Sequence, residues 1–184
     1  MEFINLVDTL NDNKLLLSLI YVLLSFIFAF IIDQVFIKVF RAVVKKSKTN
    51  IDDQIVEVLH KPLYFTILFF GLSISINLLG PSELLMFYVD ATFKTIIIFV
   101  WSTSIYKSFI ILIDWLSKKT DSFNFIQLKT IPLFENLGKI VIFLLLIYCV
   151  MLSWGIDVTA WVASAGILSV VIGFAAKDTL GNLF

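Results

Sequence analysis

Side chains that could carry out catalysis or bind a metal are sparse and scattered in this sequence. The 184 residues include one histidine, His60, and one cysteine, Cys149, so neither a disulfide framework nor a His/Cys metal cluster is expected. Asp33 and His60 fall near the ends of apolar runs, and Ser164 has no identifiable base. The sequence therefore predicts that the chain is not an enzyme and has no cofactor or metal site. Cys149, inside an apolar run, is predicted to be a small buried side chain.

A run of small residues near the C-terminal end is more informative. Nine of the eighteen residues from 159 to 176 are Ala, Ser or Gly, and such residues let membrane helices approach closely. On a helix with about 100° per residue they form two seams. The first seam contains Gly166, Ser169, Gly173 and Ala176, and the second, looser seam contains Ala160, Ser164 and Ala175.

A third stripe lies between the two seams and ends in a charge. It is formed by Ala163, Ile167, Val170, Phe174 and Lys177. Packing seams on both flanks of one stripe are typical of a helix in a symmetric ring, whose stripe faces a central lumen; such a ring requires an oligomer with closed symmetry. The alternative is that the small residues pack against the chain's own other helices, with Lys177 as an interfacial anchor.

The composition predicts that these helices cross a membrane. Hydrophobic residues make up 60 % of the chain and charged residues 15 %, against about 25 % charged in soluble domains, and the mean hydropathy is +1.00. A net charge of zero gives no reason to expect nucleic-acid binding. Five apolar segments are long enough to cross a hydrocarbon core of about 30 Å, although Lys107 interrupts the third. These predicted spans are Leu15–Ile32, Pro62–Ser82, Thr95–Ile113, Ile140–Ile156 and Val158–Ala176.

The distribution of basic residues predicts the orientation. Twelve of the fourteen Lys and Arg residues fall on one side of the five spans, and only Lys14 and Lys94 fall on the other. Because cytoplasmic loops are enriched in Lys and Arg, the N-terminus is expected outside and the C-terminus in the cytoplasm. The predicted fold is an all-α membrane protein of five transmembrane helices, in contact with membrane lipids.

Four regions follow from this assignment. Residues 1–14 contain an amphipathic repeat and are predicted to lie on the outer membrane surface. Residues 15–120 hold the three peripheral spans, residues 121–157 an inner-leaflet linker and the fourth span, and residues 158–184 the small-residue-rich helix.

The last helix also carries a family resemblance. The segment from Gly155 to Phe184, and most specifically the run GFAAKDTLGN from Gly173 to Asn182, resembles the pore-lining helix of the small-conductance mechanosensitive channel family. A weaker similarity extends back through Ile131–Gly138 and the fourth span, so that it covers about the last third of the chain.

This resemblance implies a homo-heptameric channel that conducts ions in a cell inner membrane. By position, the hydrophobic constriction of the family falls on Val170 and Phe174. The bend that follows the family's pore helix falls on Lys177 and Asp178, and Asn182 takes the position of a recurrent asparagine in helix contacts. The resemblance also implies a cytoplasmic domain after Phe184, so the chain is expected to be the membrane part of a longer protein or a truncated form.

The function predicted from these features is a channel opened by membrane tension that releases ions and small osmolytes on hypoosmotic shock. The three peripheral spans would sense tension, and a ring of Lys177 would give a slight preference for anions. Two alternatives remain at this stage: a secondary transporter, which would be expected to have ionisable residues or broken helices near mid-membrane, and a non-conducting membrane scaffold.

Overall fold

The computed structural model describes residues 13–44, 51–118 and 131–181 and confirms an all-helical membrane fold. Each of its five helices contains an apolar window long enough to cross a bilayer, and the described residues contain no strand. The helices are α1 (Lys14–Val44), α2 (Ile51–Leu78), α3 (Glu83–Lys118), α4 (Ile131–Ser153) and α5 (Thr159–Gly181).

The helix ends differ from the predicted spans. The second predicted span continued to Ser82, but α2 ends at Leu78 and Gly80 follows with φ 68°. The fourth was predicted as Ile140–Ile156, whereas α4 begins at Ile131 and ends at Ser153. Pro132 lies in the first turn of α4, where a missing N–H costs no intrahelical hydrogen bond. Charge-free windows locate the part of a helix that suits hydrocarbon, and charged turns continue the helix beyond it.

The helices form an open row and do not close into a bundle. α1 packs on α2, α2 on α3 and α3 on α4, and these are the only helix pairs in contact among the described residues. Each helix therefore leaves much of its surface exposed, and α4 contains no buried residue. Cys149 on α4 is exposed, so its predicted burial is wrong for this chain by itself.

Small and polar residues hold α1 against α2. At one end of the pair, the Ser75 hydroxyl donates a hydrogen bond to the Ser18 carbonyl at 2.7 Å. In the middle Gly71 packs against Ser25, so closely that a Cβ atom at Gly71 would overlap the serine side chain. At the other end His60 Nδ1 lies 3.0 Å from Asp33 Oδ1. The contacts follow one another along the helices, so α1 and α2 are joined over much of their length.

Two further hydrogen bonds join α2 to α3. The Ser73 hydroxyl donates to Asp90 Oδ1 at 2.6 Å, and Trp101 Nε1 donates to Thr66 Oγ1 at 3.0 Å. α4 approaches α3 where Gly138 faces the ring of Phe109 and has no side chain to separate the two helices. Helices α1 to α3 are therefore joined by polar contacts, and α4 packs against α3 at the end of this row.

Several predicted features lie outside the described residues. These are residues 1–12 of the predicted surface segment, residues 121–130 of the linker, and Asn182.

Candidate pore-lining helix

A tight turn of five residues joins α4 to α5. Gly155 has φ 69°, in the left-handed region that glycine adopts without steric cost. Its N–H donates to the Leu152 carbonyl at 3.0 Å, and the Ile156 N–H donates to the Met151 carbonyl at 3.0 Å, which together form a Schellman motif. The sequence thus ends α4 at a glycine and allows α5 to begin four residues later.

Asp157 caps the beginning of α5. Its Oδ1 accepts a hydrogen bond from the Thr159 N–H at 2.9 Å, which satisfies a backbone donor that has no partner inside the helix. Hydrogen bonds from the Thr159 hydroxyl and backbone N–H lower the pKa of the Asp157 carboxyl below its ordinary value of 3.8. Asp157 is therefore ionised at neutral pH, at the positive end of the helix dipole.

Beyond this turn, α5 is separate from the rest of the chain. Within the described residues, no Cα atom of α5 lies within 8 Å of a Cα atom in α1 to α4. None of the residues in its apolar window is buried. In this structure, the small residues of α5 therefore do not pack against the other described helices of the chain.

The first seam is open along its length. A Cβ atom added at Gly166 or Gly173 would meet no atom within 4 Å, in contrast to the crowded Gly71. The hydroxyls of Ser164 and Ser169 donate to the carbonyls of Ala160 and Ala165, at 2.8 Å and 2.7 Å. These polar groups are satisfied by their own helix, so the seams present an apolar, nearly smooth surface that another helix can approach.

The predicted lumen stripe is also exposed. The exposed fraction is 71 % for Ile167, 58 % for Val170 and 73 % for Phe174, and Ala163 and Lys177 are exposed as well. Val171, on another face, is equally exposed at 58 %, so exposure does not distinguish the stripe from the rest of the helix. Assignment of a lumen face, and of a gate at Val170 and Phe174, rests on the helical spacing and the resemblance.

The helix continues through the predicted bend. Lys177 and Asp178 both lie within α5, which ends at Gly181. The bend stays a prediction for the assembled protein, in which the end of α5 would meet other copies.

α4 and α5 diverge from their common turn and enclose an apolar cleft of about 390 Å³. Its walls include Leu144 and Tyr148 on α4, and Trp161, Val162 and Ala165 on α5.

One contact near the site was not predicted from the sequence. Trp154, in the turn before α5, donates a hydrogen bond from Nε1 to Thr95 Oγ1 of α3 at 3.0 Å. Its ring lies 6.2 Å from that of Tyr88, measured between centroids. The partners are 59 residues apart in the sequence, and no local spacing could have revealed the pair.

Comparisons with known proteins agree with the sequence resemblance. The family model described as "Mechanosensitive ion channel, transmembrane helices 2/3" matches residues 136–177, which cover most of α4 and of α5. A curated relative from Aquifex aeolicus (strain VF5), described as an "Uncharacterized MscS family protein", is 24 % identical over 177 residues. The match includes 92 % of this chain and 46 % of that protein, so the chain spans about half the length of the relative. No solved structure matches. The resemblance to the small-conductance mechanosensitive channel family is thereby confirmed.

Proposed function

We propose that this relative of the small-conductance mechanosensitive channels is an ion channel opened by membrane tension. In this proposal α5 from several copies surrounds the pore, and the open channel releases ions and small osmolytes during hypoosmotic shock. The observation that carries the proposal is the separation of α5 from α1 to α4. A membrane helix with two small-residue seams and no partner in its own chain is suited to packing against copies of itself.

The closed state would depend on an apolar constriction. With α5 arranged in a ring, Val170 and Phe174 from each copy would narrow the lumen at two levels one turn apart. A narrow apolar tube expels water, so it blocks ions without being completely filled by side chains. In the homo-heptamer that the resemblance implies, the seam of Gly166, Ser169, Gly173 and Ala176 would meet the opposite flank of the next copy.

Tension would open the pore by shifting a conformational equilibrium. If the open state occupies more membrane area, tension favours it by the product of tension and that area difference. Helices α1 to α3, joined to each other by polar contacts and broadly exposed, would move as a unit with the lipid. The turn at Trp154 would then carry this movement to α5.

The proposed location is a cell inner membrane, with the N-terminus outside and the C-terminus in the cytoplasm. This orientation puts twelve of the fourteen Lys and Arg residues on the cytoplasmic side. Lys177 would then lie at the inner mouth of the pore.

The direct test is recording from excised patches of liposomes that contain the purified protein, while suction is increased in steps. We expect stepwise currents that appear with suction and stop when it is released. A non-conducting scaffold would remain silent, and a transporter would give substrate flux without tension-dependent steps. The proposal fails if neither this chain nor a version extended to the relative's full length gives tension-dependent currents, once incorporation of the protein into the liposomes has been verified.

A further inference from the structure

A second site lies away from α5, at the end of the row where α3 ends and α4 begins. It is a groove of about 480 Å³ on the surface of α3, bordered by α2 on one side and α4 on the other. Its volume falls in the range of small-molecule sites, roughly 300–1,000 Å³. Its lining residues are Val58, Tyr106, Lys107, Ile110, Ile111 and Glu135.

The groove combines an apolar floor with two opposite charges. Val58, Ile110 and Ile111 are apolar, whereas Lys107 offers an ammonium and Glu135 a carboxylate. Neither charged group has an ion pair or a hydrogen bond within the part of the chain that the structure describes. Two opposite charges that border one groove without pairing are suited to a ligand that carries both charges itself.

The helix backbone beside the groove lacks one of its hydrogen bonds. Pro62 lies inside α2 and has no N–H, so the Val58 carbonyl receives no hydrogen bond from the residue four positions later. In a membrane, a carbonyl oxygen without its helical donor favours a ligand with N–H groups. Val58 itself lines the groove, beside the apolar floor.

The position of Lys107 places the groove near a membrane surface. Lys94 and Lys107 are separated on α3 by twelve uncharged residues, a length of about 18 Å at 1.5 Å per residue. In the predicted span Thr95–Ile113, Lys107 lies six residues, about 9 Å, before the end that is expected at the inner membrane surface. The Lys107 ammonium can reach the boundary between acyl chains and headgroups, where phosphate groups lie.

We propose that this groove binds a phospholipid whose headgroup carries both a phosphate and a primary ammonium, as in phosphatidylethanolamine. The phosphate would pair with Lys107 and the ammonium with Glu135, and the start of an acyl chain would cover Ile110 and Ile111. An anionic lipid without an amine would pair with Lys107. It would leave Glu135 unpaired, beside the negative charge of the lipid. The site therefore selects for the amine as well as for the phosphate, and this selection does not depend on whether α5 forms a pore.

The test is native mass spectrometry of the full chain, titrated with phosphatidylethanolamine and with phosphatidylglycerol of identical acyl chains. The wild-type chain should bind phosphatidylethanolamine about fivefold more tightly than phosphatidylglycerol, as expected for one interfacial charge contact. Glu135→Gln should bring the two affinities close together. Lys107→Gln should weaken both by about fivefold.

Two lysines provide matched controls. Lys94 lies on the same helix as Lys107, and Lys139 lies one turn after Glu135 on α4, but neither lines the groove. Lys94→Gln and Lys139→Gln should leave both affinities unchanged. The proposal is overturned if the wild-type chain does not distinguish the amine-bearing lipid, if Glu135→Gln preserves the distinction, or if Lys94→Gln weakens binding as much as Lys107→Gln.

Discussion

Trp154 and Thr95 connect the turn before α5 to α3, through a hydrogen bond of 3.0 Å from the indole Nε1 to the threonine Oγ1. The Thr95 hydroxyl in turn donates to the Ala91 carbonyl at 2.7 Å, so it acts as acceptor and donor at once. Because α5 has no helix contact of its own in the described structure, we propose that this bond carries movement of α3 to the candidate pore helix.

Trp154→Phe should raise the tension needed for opening. The substitution keeps an aromatic ring but removes the N–H donor, with a loss of about 1 kcal/mol per subunit. The measurement is the suction at half-maximal current in excised patches.

Trp101→Phe is the matched control for that prediction. Trp101 donates the same kind of bond, also 3.0 Å long, to Thr66, but it joins α2 to α3 and does not reach the turn before α5. Loss of this hydrogen bond should lower the thermal stability of the chain and leave the tension threshold unchanged. Equal shifts from Trp101→Phe and Trp154→Phe would contradict a special role for Trp154.

Gly173→Leu should impair assembly without unfolding the chain. A Cβ atom added at Gly173 meets no atom within 4 Å in the single chain, but a leucine side chain there would block close approach along the seam. Light scattering of the purified protein should report smaller particles than for wild type, with unchanged helix content by circular dichroism.

Gly71→Ala should show the opposite behaviour. A Cβ at this position overlaps Ser25 within the chain, and such overpacking costs about 1–3 kcal/mol of stability. The variant should unfold at a lower temperature, while the folded fraction still assembles. If Gly173→Leu assembles like wild type, the seam does not form the interface.

The Asp157 carboxyl should titrate below pH 3.8, and the measurement is an NMR pH titration of its carboxyl carbon. Its hydrogen bonds with Thr159 favour the ionised form in the folded chain and lower its pKa. The resulting stabilisation of α5 is complete above the unfolded pKa and is lost as the pH falls through the lower folded pKa. Thr159→Val, which keeps the backbone N–H but removes the hydroxyl, should move the midpoint back towards 3.8. A midpoint at or above 3.8 in the wild-type chain would contradict this capping arrangement.

Lys177→Gln should reduce the preference of the open channel for anions. In the proposed channel, a ring of Lys177 side chains near the mouth of the pore would attract anions, and glutamine keeps a similar length without the charge. The reversal potential in a salt gradient measures the effect. A reversal potential that does not change would remove Lys177 from ion selection.

The sequence predicted the number and type of the membrane helices because apolar length largely determines both. It did not predict the helix ends, since Glu135 and Lys139 interrupt the apolar run of α4 but not the helix. It also could not decide between packing of α5 on its own chain and packing on other copies, because a small-residue seam fits either partner equally well.

The contacts between the peripheral helices were missed for a different reason. Gly71 and Ser75 have the four-residue spacing of small residues that marks close helix packing, and this signal in α2 would have indicated the interface with α1. In contrast, the Trp154–Thr95 bond depends on how three helices are arranged. Hydropathy and spacing carry no information about that arrangement.

The most direct test of the central claim, that α5 lines a tension-gated pore, compares Val170→Ser with Val171→Ser in excised-patch recordings. Both valines are 58 % exposed in the chain, but they are neighbours about 100° apart on the helix. Val171 lies on the flank that already contains Ser164, whose hydroxyl bonds its own helix backbone. The account predicts that Val170→Ser hydrates the gate and lowers the tension threshold, whereas Val171→Ser leaves the threshold near wild type. Unchanged thresholds in Val170→Ser, or equal shifts in both variants, would contradict it.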